Sequence, residues 1–124
     1  MSGQNIQFFF TIRDTLKIHH WQTREFSTHT AIDKAIEELD LLVDQYVEVY
    51  IARFTRPRFS TGTNISLKSH TRKSMIKMLE QATLYLQSPT FNKGLDTKKH
   101  SELINIRDEI IAVLQRLLYL FTLQ

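Results

Sequence analysis

The chain has 124 residues, a formal net charge of +3, 42% hydrophobic residues, 3 Gly, 2 Pro and no Cys. Without cysteine there is no disulfide framework, thiolate nucleophile or zinc finger, and any metal site must draw on His, Asp, Glu or backbone oxygen. So few turn-formers predict long helices with short connections rather than a many-stranded sandwich, and the hydrophobic content suits one core in a single domain spanning residues 1–124. The N-terminus carries no positive charge ahead of its apolar residues, so no secretory signal is read. The longest apolar run, near Leu117 to Leu123, is too short to span a bilayer. The expected location is cytoplasmic, with no membrane partner. The basic excess gathers between Arg53 and Lys77 (Arg53, Arg56, Arg58, Lys68, Arg72, Lys73, Lys77). It is read as a solvated face, and nucleic acid is not an expected partner.

Four helical stretches follow in order. The first runs from Gln4 to Trp21, with Ile6, Phe9, Phe10, Ile12 and Leu16 at helix-like spacing, although Phe8 and Phe10 blur the pattern. The second, from Thr28 to Phe54, is the most strongly periodic: Ala35, Leu39, Leu42, Val43, Tyr46, Val47, Tyr50 and Phe54 form its apolar stripe, with Ser27 or Thr28 as its cap. Pro57 then stops the helix and Arg56 to Asn64 reads as a loop, within a connection to the third stretch of about a dozen residues that is long enough for a crossover or a small extra helix. The third stretch runs from Ser69 to Leu86 with Met75, Met78, Leu79, Ala82 and Leu86 inward, and Ser88-Pro89 ends it. The fourth, from Lys98 to Thr122, carries a seam of Leu103, Ile106, Ile110, Leu114, Leu117 and Phe121. Together these predict an all-α four-helix bundle.

The second helix also carries His29, Asp33, Glu37, Asp40, Asp44 and Glu48 at spacings of three or four, which places them on one stripe. No Lys or Arg interrupts it, and like charges so spaced each cost about 0.2–0.5 kcal/mol. Something positive should face the stripe: a metal ion or a basic partner. His20 ends the first helix and His29 opens the second, so both imidazoles can reach one corner. His29 and Asp33 are one turn apart, as are Asp44 and Glu48. Imidazole with carboxylate suits iron, zinc or manganese. Asp33 and Asp44, however, lie about 16 Å apart along a helix at 1.5 Å per residue. One chain cannot bring both pairs to one ion, whereas two copies packed antiparallel about a two-fold axis can, twice over. A homodimer or larger homo-oligomer is therefore expected.

The run from His20-Trp21 to Phe26, followed by His29, Asp33, Asp44 and Glu48, resembles the Dps mini-ferritins over roughly residues 15 to 54. The resemblance implies a ferritin-like fold and a ferroxidase that oxidises ferrous iron and stores ferric mineral. It also implies that His20, His29 and Asp33 of one subunit bind iron with Asp44 and Glu48 of its two-fold mate, in an assembly of up to twelve subunits. Trp21 would then sit near the site and quench oxidising equivalents, or else serve as a core aromatic at a helix end. The third and fourth helices lack the Glu-x-x-His signature of ordinary ferritins, which fits an inter-subunit site. The chain departs from the family in its shortness and in lacking a basic N-terminal tail. It also resembles short ferritin-like proteins of large DNA viruses and phages, which adds the virion to its expected locations. The alternative reading is a non-catalytic bundle whose acidic stripe binds a protein partner, as a virion or assembly component. Of the remaining residues, His19 is expected at the surface or just behind the metal ligands, His70 and His100 at the surface, Asp108 and Glu109 in pairs with Arg107 or Arg116, and Tyr46 and Tyr50 in the core or a dimer interface.

Overall fold

A computed structural model describes residue 1 and residues 3–123. Four helices account for most of it: α1 (Gly3–Gln22), α2 (Phe26–Arg53), α3 (Arg72–Leu86) and α4 (Ser101–Phe121). No strand occurs among the described residues, and no helix there is long and apolar enough to cross a membrane.

The packing follows the apolar spacing. Every position of the α4 seam is buried, from Leu103 to Phe121, because heptad-like spacing keeps these side chains on one face of a helix. They meet Ile32, Ala35, Ile36, Leu39 and Tyr46 of α2, Phe9, Ile12 and Leu16 of α1, and Met75, Leu79, Ala82 and Leu86 of α3 in one core. In α1 the ambiguous phenylalanines separate: Phe9 is buried, Phe8 half-buried and Phe10 is 53% exposed. Leu41 of α2 and Phe54, just past its end, also face solvent.

The connections fix the topology. Thr23–Glu25 form a tight turn that sets α2 antiparallel to α1. Residues 54–71 then run the length of the bundle. Phe59 packs on Gly3 at the start of α1, so closely that a Cβ there would lie 3.1 Å from its ring. Gln7 Nε2 donates to the Asn64 carbonyl at 2.7 Å, and Gln22 Nε2 at the far end of α1 donates to Ser69 Oγ at 2.9 Å. At 1.5 Å per residue α1 is about 30 Å long, well within the reach of an extended segment of this length. This crossover returns the chain to the end where α2 began, so α3 runs parallel to α2, and α4 returns antiparallel to both. Around the bundle the order is α1, α2, α4, α3.

Several boundaries differ from the sequence expectation. The α2 helix starts at Phe26, not Thr28; its N-cap is Glu25, whose side chain makes no cap bond. The α3 helix starts at Arg72 rather than Ser69, on a capping box in which Thr71 and Ser74 bond each other's backbone. The α4 helix starts at Ser101 rather than Lys98, because the Asp96 carboxylate accepts from the Lys98 and Lys99 N–H groups (both 2.8 Å) and holds the preceding turn. The crossover is longer than expected and contains no helix.

Arg72 ties two ends together: its guanidinium donates to the Phe121 and Leu123 carbonyls, which the end of α4 leaves without helical partners, and it pairs with Glu25 at 3.2 Å. At the opposite end buried Asn5 accepts from Tyr85 Oη (2.7 Å) and donates to the Phe91 carbonyl (3.1 Å), locking the 87–100 connection onto α1.

Candidate metal centre

The tight α1–α2 turn brings His20 and His29 together as the sequence predicts. Their rings stack, with centroids 3.7 Å apart and planes 19° apart. His20 Nδ1 lies 2.8 Å from the His29 carbonyl oxygen, and His29 Nδ1 lies 2.9 Å from the His20 carbonyl oxygen. A carbonyl only accepts, so both Nδ1 atoms carry their protons and, in the neutral rings, both Nε2 atoms keep a free lone pair. Such reciprocal anchoring fixes tautomer and ring orientation as a protein does for a metal-ligating histidine. His20 is buried and His29 half-buried.

Asp33 lies one turn below on α2. Its Oδ1 is 3.9 Å from His20 Nε2 and also 3.9 Å from Lys17 Nζ. Lys17 therefore already supplies positive charge to Asp33, and its ammonium also stands over the Trp21 ring at 5.4 Å. Asp44 and Glu48 are exposed further along the same face, beyond reach of the histidine pair. Among the described residues no cluster of three or more His, Asp or Glu side chains lies close enough to hold a metal ion. One chain thus assembles His20 and His29 tightly and Asp33 loosely, and leaves Asp44 and Glu48 apart.

The acidic stripe is not uniformly unpaired, which the sequence of α2 alone could not reveal. Arg13 of α1 reaches Asp40 (3.3 Å), and Lys17 faces Asp33. Burial opposes the charge on Arg13, but the bond to Asp40 outweighs it, so its pKa is raised. Glu37, Asp44 and Glu48 have no ion pair among the described residues.

Other candidates are relocated. Trp21 is 69% exposed and so is not a core aromatic, and Phe26 beyond the turn is 79% exposed. His19, expected at the surface or just behind the ligands, is buried (8% exposed) with Nδ1 lacking any partner. Burial first, then nearby His70, lowers its pKa. The surface spacing of α1 gave no signal for this, because the crossover that covers His19 comes from another part of the chain. His70 and His100 are half-buried: His70 Nδ1 bonds Ser74 Oγ at 2.9 Å, and His100 Nδ1 accepts from the Asp96 N–H at 2.9 Å. Asp108 pairs with Arg107 as expected, whereas Arg116 pairs with Glu38 rather than Glu109. Tyr46 is a fully buried core residue, and burial raises its pKa; Tyr50 is half-buried against the core.

A groove opens beside the stripe between α1 and α2, with a volume of about 770 Å³. Its walls are mainly apolar, and Phe59 of the crossover closes one side. Arg13, Asp14, Asp40 and Asp44 line it as well. Neither its existence nor its extent was predictable from the sequence, since Pro57 and Phe59 arrive through the crossover.

This fold and corner define an all-helical bundle with a preset histidine pair at one end. The chain belongs to a family of unknown function, DUF5856, which matches residues 20–121 and so includes all five candidate ligands. No curated protein and no solved structure matches it.

Proposed function

We propose that this protein is a ferritin-like ferroxidase of the Dps kind, whose iron site is formed by His20, His29 and Asp33 of one subunit with Asp44 and Glu48 of its two-fold partner. The observation that carries the reading is the stacked histidine pair with both Nδ1 atoms bonded to carbonyls and both Nε2 atoms free. Two neutral imidazoles with carboxylates form a donor set suited to iron, and also to zinc or manganese. The topology supports the same reading, since one long crossover joining parallel second and third helices is the connection of ferritin-like bundles.

The chain's own residues divide the work. His20 and His29 are held in place before any ion arrives, so binding costs little ordering. Asp33 supplies charge but must first give up Lys17. Asp44 and Glu48, unpaired in one chain, attract cations and close the site from across the dyad. Ferrous iron held there would be the substrate, two such ions giving one electron each to a peroxide that takes up two protons and leaves as water.

Anaerobic titration of the apo-protein with ferrous iron, then addition of peroxide, tests the proposal, with absorbance and solution mass followed together. Saturable binding in a dimer or larger oligomer with fast oxidation is expected, and a twelve-subunit mass would add mineral storage. Asp44→Asn should abolish tight binding while the helical signal stays unchanged. No accelerated oxidation would overturn the ferroxidase reading and favour the stripe as a docking surface for a basic partner.

A further inference from the structure

We infer that the α1–α2 groove is the receptor for Trp21 of a second copy of this chain, so that one two-fold contact both seats the indole and completes the metal site. The inference rests on the dyad of the proposed site and adds the contact that would hold it. That dyad sets His29 against the partner subunit's Glu48, and Asp33 against the partner subunit's Asp44. Trp21 follows His20, which stacks on His29, so Trp21 is level with His29. The same dyad therefore brings it to the level of the partner subunit's Glu48. Asp44 and Val47 lie within one turn of Glu48, and both line the groove.

Face and chemistry agree with this register. Lys17 stands over the indole while facing Asp33 of α2, which places Trp21 on the α1 side that borders the stripe. Phe10 and Asp14, at helical spacing from Lys17 and Trp21, line the groove on that same side. Trp21 is 69% exposed in one chain, an unusual state for the largest apolar side chain. The groove offers Ile6, Phe10, Val43, Val47 and Phe59 as apolar wall, and its volume falls within the range of sites that bury a ligand of this size. Charge agrees as well: the corner that carries Trp21 brings Lys17 toward the unpaired Asp44.

Trp21 is the sole tryptophan in the chain, so its fluorescence reports on this contact alone. The apo-protein should be diluted through its dimer–monomer transition, with sedimentation recorded on the same samples. The expected result is a blue-shifted, acrylamide-protected emission in the dimer that becomes fully exposed in the monomer. Val47→Asp in the groove should weaken dimerisation at least tenfold and leave the emission exposed at every concentration tested. Phe59→Asp, at the opposite wall and 49% exposed, should act in the same direction without touching the core, which guards against misfolding of the first variant. A dimer with freely quenched Trp21, a chain monomeric throughout, or groove variants that dimerise like wild type would each overturn the inference. Separate titration with ferrous iron distinguishes the two proposals. An iron-binding dimer with exposed indole sinks the groove assignment and keeps the site, whereas a dimer with buried indole that ignores iron does the reverse.

Discussion

Replacing Lys17 by Met should tighten binding of a divalent ion at the proposed site. The Lys17 ammonium and His20 Nε2 both lie 3.9 Å from Asp33 Oδ1, so the lysine already stands where a cation would be neutralised. Two unit charges 4 Å apart interact by about 1 kcal/mol in water, and a divalent ion at that range doubles the repulsion from the ammonium. Asp33 is 64% exposed, so water and salt screen much of this. A net gain of about 1 kcal/mol, roughly fivefold in affinity, is what remains. Methionine keeps an unbranched stem against Trp21 and removes only the charge. Competition titration with redox-inert Co(II) at low and high salt measures the change. The gain should shrink as ionic strength rises, because screening weakens the repulsion that the substitution removes. Unchanged affinity would show that Asp33 and Lys17 do not compete with a metal. Weaker affinity would show that Lys17 holds Asp33 in position, and a gain that ignores salt would refute the electrostatic account.

Three further predictions concern the scaffold. Leu114→Ala, at 1% exposure in the core under α2, should cost about 2–5 kcal/mol in urea unfolding, since the rigid surround leaves a cavity. Asn5→Ala should cost about 1–3 kcal/mol, because Tyr85 Oη and the Phe91 carbonyl lose their partner in a part-buried site. Burial lowers the pKa of His19 below its ordinary 6.5, and that of His70 likewise. The unfolded chain therefore takes up protons first as pH falls, so this stability is present above about pH 6.5 and declines below it. His19→Leu should flatten the loss of urea midpoint between about pH 7.5 and 5.5, leaving the share due to His70. An unaltered slope would refute the assignment.

The parts of this structure legible in the sequence are those set within one helix. All six positions of the α4 seam are buried as read, because apolar positions repeat with nothing polar among them; Val113 beside them is buried as well. The meeting of His20 and His29 was also legible, since a short turn between two long helices leaves their ends no other place. What was not legible depends on segments distant in the chain. Arg13 and Lys17 sit on α1, and only the antiparallel register shows that they face Asp40 and Asp33. The burial of His19 is set by the crossover and the end of α4, where its ring lies 6.2 Å from that of Phe121. The start of α2 was misplaced because Ser27 and Thr28 are good capping residues by type, yet the tight turn ends at Glu25 and absorbs both into the first helical turn. Trp21 misled by composition: its size suggested a core, but α1 turns that position away from the bundle.

The distribution of charge along α2 bears on whether its acidic stripe is an ordinary solvated face. If it were, the cations of α1 would have no reason to match only part of it. Instead the part nearer the histidines is answered within the chain, by Lys17 at Asp33 and Arg13 at Asp40. Beyond Arg13, the α1 position level with Asp44 is Ile6, because Lys17 is level with Asp33 and the two helices run antiparallel. There Asp44 borders an apolar groove whose one lining cation among the described residues is Arg13. Asp44 and Glu48 are exposed and like-charged, and no cation of the described residues answers them. A cation brought from outside the chain gains most at that place. An antiparallel second copy would bring Lys17, the free Nε2 atoms and any bound metal to it, and would cover the groove in the same contact. The asymmetry therefore argues for a stripe shaped by a two-fold partner rather than by solvent.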